Sequence, residues 1–91
     1  MRKVLIVDDD VNFCVILKSY LGRKGYLADE AFTCTEAIRL LQRGGYDLVL
    51  TDFRLPDRNG LELLKDIKET RPEIVVILMT AYADIRMAVK A

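Results

Sequence analysis

Ile74-Val75-Val76-Ile77-Leu78-Met79 is a run of six apolar residues that breaks at Thr80. A strand with one wet face alternates apolar and polar residues, so an unbroken run predicts a strand buried on both sides. Toward the N-terminus similar runs recur at Leu48 to Leu50 and at Lys3 to Val7, with a weaker one at Leu27 to Ala31, where Asp29 and Glu30 suit a sheet edge. Helical spacing fills the intervals. Val11, Cys14, Val15, Leu17, Lys18 and Leu21 predict a first helix that Gly22 and Gly25 stop. Thr33 and Glu36 form a capping box for a second helix through Leu41, ended by Gly44-Gly45. Phe53 to Asn59 reads as a loop, and Asn59 caps a third helix bearing Leu61, Leu64 and Ile67, closed by Arg71-Pro72. Asp84 is placed to cap a fourth helix with Ile85, Ala88 and Val89. Four strand-then-helix units with continuous apolar strands predict an α/β fold, a doubly wound parallel sheet with helices on both faces.

The chain has 91 residues, enough for one domain spanning residues 1–91. A chain of this size buries only about 60 to 65% of its unfolded surface, so its stability is expected to be marginal. Lys and Arg number 14 and are balanced by 14 Asp and Glu scattered along the whole length, which argues against direct nucleic-acid contact. The apolar run after Arg2 and Lys3 is too short for a signal peptide, and no stretch approaches membrane-spanning length. Two separated cysteines, Cys14 and Cys34, and the absence of histidine make a zinc site a poor reading; a reduced, cytoplasmic setting and unreactive thiols are expected.

Open α/β sheets bind ligands beyond the carboxyl ends of their strands. Asp8-Asp9-Asp10 follows the first strand, Asp52 the third and Thr80 the fourth. Three acids before a helix also serve simply as favourable charges at its positive end, which is the role expected of Asp10. If the first and third strands are neighbours, Asp8 or Asp9 converges with Asp52. Carboxylates that close repel one another, and a shared proton or a hard divalent cation relieves them. Mg²⁺ fits: it takes oxygen ligands, uses one or two carboxylates and leaves room for a phosphate. An aspartate can accept a phosphoryl group, and a hydroxyl such as Thr80 can donate a hydrogen bond to it.

Ile6-Val7-Asp8-Asp9-Asp10, Asp52-Phe53-Arg54-Leu55-Pro56-Asp57-Arg58-Asn59-Gly60 and Leu78-Met79-Thr80-Ala81-Tyr82 resemble the three signature segments of response regulator receiver domains, in the right order. The likeness runs through the whole chain and is greatest to receivers of nitrogen-regulator-type transcription activators. It implies a flavodoxin-like sheet of strand order 2-1-3-4, with Asp8, Asp9 and Asp52 holding Mg²⁺ together with the backbone carbonyl of Arg54. Asp52 becomes the phosphoacceptor and Thr80 the switch hydroxyl. Ala81 leaves access, and the side chains of Arg54 and Tyr82 modulate phosphate loss. The implied function is a phosphoacceptor switch rather than an enzyme with an external substrate. Its partner is a sensor histidine kinase, and an output domain of the parent chain, with transcription the expected output, reads its state.

A complete receiver has a fifth strand, ending in a phosphate-pairing lysine, and a fifth helix. None of Lys3, Lys18, Lys24, Lys65, Lys68 and Lys90 matches that lysine, so the chain is expected to be incomplete at its C-terminus, with the fourth strand an apolar edge that drives dimerisation or swapping. The eight-residue fourth helix is expected to fray. An alternative function is an unphosphorylated dimerisation or interaction module. Haloacid-dehalogenase-like phosphatases need a second aspartate two residues after the nucleophile, where this chain has Arg54, and no phosphate-binding GxxxxGK[ST] run is present.

Overall fold

The computed structural model describes residues 2–79. Thr80, Ala81, Tyr82 and the helix expected from Asp84 lie outside the described residues. The elements follow the order β1 (Lys3–Val7), α1 (Val11–Arg23), β2 (Leu27–Ala31), α2 (Cys34–Arg43), β3 (Leu48–Asp52), α3 (Gly60–Thr70) and β4 (Val75–Met79). The four strands form one parallel sheet in the order β2-β1-β3-β4, as the resemblance implies.

Each helix begins on a side-chain cap. Asp10 accepts from Phe13 N, Thr33 from Glu36 N and Asn59 from Glu62 N, at 3.1, 3.1 and 2.8 Å. Such caps satisfy amides that the first helical turn leaves without partners. Glu36 completes the capping box by accepting from Phe32 N at 2.9 Å. Four expected boundaries move: α2 runs past Leu41 to Arg43, β4 begins at Val75 rather than Ile74, and α1 and β3 each run on. Gly22 does not stop α1, which continues to Arg23; the break comes at Gly25, whose φ of 93° is open to a residue without a Cβ. β3 runs on through Thr51 and Asp52, because β4 supplies ladder partners for both.

The helices divide the core between the two faces. α2 and α3 cover the face carrying Leu5, Val7 and Val49, adding Ala37, Leu41, Leu63 and Ile67. Among the described residues α1 alone covers the other, where Val4, Ile6 and Cys14 are buried and Leu48 and Leu50 only partly so. On that face the register sets Val75 beside Leu48 and Ile77 beside Leu50, and Val75 and Ile77 stay 55% and 48% exposed. Leu63, rather than Leu61 or Leu64, is the fully buried leucine of the α3 stripe. A side chain of that size, fully buried, contributes about 1.5–3 kcal/mol.

Candidate functional site

β1 and β3 are hydrogen-bonded neighbours with Val7 opposite Thr51, so Asp8, the first residue past β1, and Asp52, the last residue of β3, come to the same level at one end of the sheet. The chain passes from β1 into α1 within three residues, which brings Asp9 to the same point. Ligand oxygens of Asp8, Asp9 and Asp52 all lie within 4.8 Å of one another. These are the acids expected from the sequence to converge, and all three do meet.

Their surroundings differ. Asp8 is buried, its carboxylate accepting from Asp10 N at 2.9 Å and its amide donating to Ala31 O at 3.0 Å. Burial pushes its carboxyl above the usual range, the Asp10 amide bond opposes this, and the charges of Asp52, Asp9 and Asp10 push it further up. Asp9 is exposed and Asp52 half-buried, with Phe53 N donating to Asp52 Oδ1 at 2.8 Å. Asp10 spends its side chain on the α1 cap, as expected.

The loop after Asp52 is closed at its base. Gly60 N donates to Phe53 O at 2.6 Å, and Arg54 forms an antiparallel bridge with Asn59. Gly60 packs directly on the end of β3: a Cβ at that position would collide with the carbonyl carbon and oxygen of Asp52 and with Leu78 Cδ1. Residue 60 is glycine because backbone must pass against backbone there. The helix cap that the sequence suggests at Asn59 does not anticipate this contact.

Nor does the sequence suggest a part for Asp57. The Asp57 carboxylate accepts from Cys34 N at 2.9 Å, Thr35 N at 3.0 Å and Thr35 Oγ1 at 2.8 Å, joining the loop to the start of α2. These bonds hold its carboxyl well below the usual range, at about 2. The only sign in the sequence is the lack of an acid at the first two positions of α2.

An all-oxygen site made of three acids, one buried and held under like-charge repulsion, fits a hard divalent cation; thiolate or imidazole ligands are not part of it.

The profile of the response regulator receiver domain family matches residues 4–91. The transcriptional regulatory protein ZraR of Klebsiella oxytoca is 40% identical over 88 residues, covering 97% of this chain and 20% of that protein. The DNA-binding transcriptional regulator NtrC of Proteus hauseri is 39% identical over 88 residues, covering 97% of this chain and 19% of that protein. The chain thus spans about a fifth of the length of these curated relatives. Among solved structures, response regulator protein TrrA of Thermotoga maritima in complex with Mg²⁺-BeF superposes with a TM-score of 0.89 at 37% identity, covering 96% of this chain and 76% of that one. TrrA in complex with the histidine kinase ThkA gives a TM-score of 0.89 at 37% identity, with 94% and 74% covered. The likeness to nitrogen-regulator-type receivers read from the three signature segments is therefore matched by sequence and by fold, and the chain belongs to the response regulator receiver domain family.

Proposed function

We propose that the chain is the phosphoacceptor receiver of a two-component response regulator, taking a phosphoryl group on Asp52 from a sensor histidine kinase. The observation that carries this is the convergence of Asp8, Asp9 and Asp52 within 4.8 Å at the ends of β1 and β3. Receiver domains are regulatory switches, and this one is read as a switch that takes part in its own phosphoryl transfer and in the later loss of the phosphate.

Asp52 is the nucleophile. One of its oxygens bonds to phosphorus as the phosphorus–nitrogen bond of the donor's phosphohistidine breaks. These 91 residues contain no histidine, so the phosphohistidine lies outside them; TrrA, a similar protein, forms a complex with a histidine kinase. Phe53 N fixes the Asp52 rotamer through Oδ1, and Gly60 lets the following loop fold back without displacing the Asp52 backbone. Asp8, Asp9, Asp52 and the backbone carbonyl of Arg54 hold Mg²⁺, which supplies positive charge to offset the acids and the incoming phosphoryl oxygens. The Mg²⁺-BeF complex of TrrA supports that assignment.

Thr80 is assigned the switch hydroxyl, and the side chains of Arg54 and Tyr82 tune hydrolysis. The reading includes residues 1–91 as one receiver domain, a cytoplasmic setting, an output domain in the parent chain and transcription as the output, in line with the names of ZraR and NtrC. Among the described residues no helix is long and apolar enough to cross a membrane. Exposed Val75 and Ile77 beside half-covered Leu48 and Leu50 favour a further role in self-association.

Intact-mass spectrometry after incubation with acetyl phosphate tests the reading. One phosphoryl group is expected on the unmodified chain with Mg²⁺ and none on Asp52→Asn or without metal. A folded, Mg²⁺-supplied chain that gains no mass overturns it in favour of the interaction module.

A further inference from the structure

The first turn of α2 has three amides to satisfy, and its own capping box satisfies one. Thr33 takes Glu36 N, while Glu36 returns its carboxylate to Phe32 N, outside the helix. Cys34 N and Thr35 N are left, and both donate to Asp57, twenty-three and twenty-two residues further along the chain. The Thr35 hydroxyl adds a third bond to the same carboxylate. Beside it, Cys34 Sγ contacts Arg58 O at 3.8 Å, so two consecutive loop residues are stitched to one helix end. The loop is thus held at both extremities, its base by Gly60 N on Phe53 O and its tip by Asp57 on α2.

We infer that Asp57 is a positioning residue for the acceptor site: by anchoring the loop tip to α2 it fixes the course of the short segment from Asp52 to Asp57, and with it the Arg54 backbone carbonyl. This rests on the reading of Asp8, Asp9, Asp52 and Arg54 as the cation-holding set. Arg54 lies only three residues before the anchor and two after Asp52, so little slack separates it from either fixed point. A carboxylate taking three donors at a helix N-terminus is a strong and directional tether, since the bonds are charge-assisted and lie at the positive end of the helix. Residues that orient ligands without touching the metal typically change its affinity by about 10- to 100-fold when removed.

The test is a magnesium chloride titration of the 91-residue chain, followed by calorimetry without a phosphodonor and, separately, by the initial rate of phosphorylation by acetyl phosphate. Asp57→Ala is expected to weaken Mg²⁺ binding about tenfold and to raise the half-saturating Mg²⁺ concentration in step, while the rate at saturating Mg²⁺ stays close to that of the unmodified chain. Asp57→Asn, which keeps one amide acceptor, falls between the two. Thr33→Ala removes the other cap of the same helix turn and leaves Mg²⁺ binding unchanged, separating anchoring of the loop from mere stability of α2. Unchanged affinity in folded Asp57→Ala overturns the inference, and so does an equal shift in Thr33→Ala. Should Asp57→Ala fail to fold, unchanged affinity in Asp57→Asn overturns it equally. If the unmodified chain itself binds no Mg²⁺, the acceptor-site reading fails and the inference with it, an outcome distinct from all the others.

Discussion

The loop that follows β1 and the loop that follows β3 meet at one cluster of acids, yet they hold their shapes by different means. Apart from the Asp8 amide on Ala31, the first is local: Asp10 N turns back on Asp8 Oδ1, Phe13 N on Asp10 Oδ1 and Cys14 Sγ on Asp8 O, across two, three and six residues. The second leans on distant chain. Its tip is bonded to Cys34 and Thr35, and its end, Gly60, lies against the backbone of Asp52 and the side chain of Leu78. A loop that satisfies itself can be rebuilt by its own few residues, whereas one that borrows partners is only as well placed as the elements lending them.

The largest effect that sharpens this contrast is expected at Gly60. Gly60→Ala drives a methyl into backbone atoms of Asp52 that have no room to yield, and a loss of about 3 kcal/mol is expected in urea unfolding. Gly22→Ala, in α1 with nothing within 4 Å, is the matched control and should gain about 0.5–1 kcal/mol. Equal stabilities for the two would show that the loop after β3 does not depend on its surroundings.

A smaller effect is expected from the local loop. Asp10→Ala removes the α1 cap and should cost about 1 kcal/mol. Hydrogen exchange at the Cys34 and Thr35 amides under native conditions should be unaffected beyond that global loss. Selective loss of their protection would mean that the two loops are coupled and the contrast is false.

The smallest effect concerns acid. The Asp57 carboxyl is depressed from 3.8 to about 2 by bonds it makes only in the folded chain. The unfolded chain therefore takes up the proton first, and the contribution is fully present above about pH 4 and lost as pH falls toward 2. Because Asp57 is exposed, solvent screening keeps the effect small. Unfolding midpoints measured between pH 5 and 2 should fall more steeply for the unmodified chain than for Asp57→Asn; parallel curves would mean that the Asp57 bonds add nothing to stability.

What can be read from sequence follows the same division. Apolar runs mark β1, β3 and β4 and only weakly β2, and Asp10, Thr33 and Asn59 mark the helix starts, because caps and strand burial act over a few residues. Gly22 misleads because a glycine weakens a helix without necessarily ending it, and α1 runs one residue further, to Arg23. Asp8, Asp9 and Asp52 are legible once strand ends are located, although the neighbour relation of β1 and β3 comes from resemblance and not from periodicity. Asp57 and the packing of Gly60 are not legible, since their partners lie in other parts of the chain and no short spacing encodes them. Leu63 escapes for a related reason: which side of the apolar stripe on α3 goes deepest depends on how the helix sits against β3 and β4.

The two cysteines give the division of the core a practical use. Cys14 is enclosed beneath α1 on one face of the sheet and Cys34 at the head of α2 on the other. Burial first, then the nearby charge of Asp8 for Cys14 and of Asp57 for Cys34, pushes both thiols up to about 11. At neutral pH they are protonated and shielded, doubly protected from alkylating reagents. The chain thus carries a separate clock on each side of its sheet: modification of Cys14 times the lifting of α1, and modification of Cys34 times the release of α2 from the loop after β3.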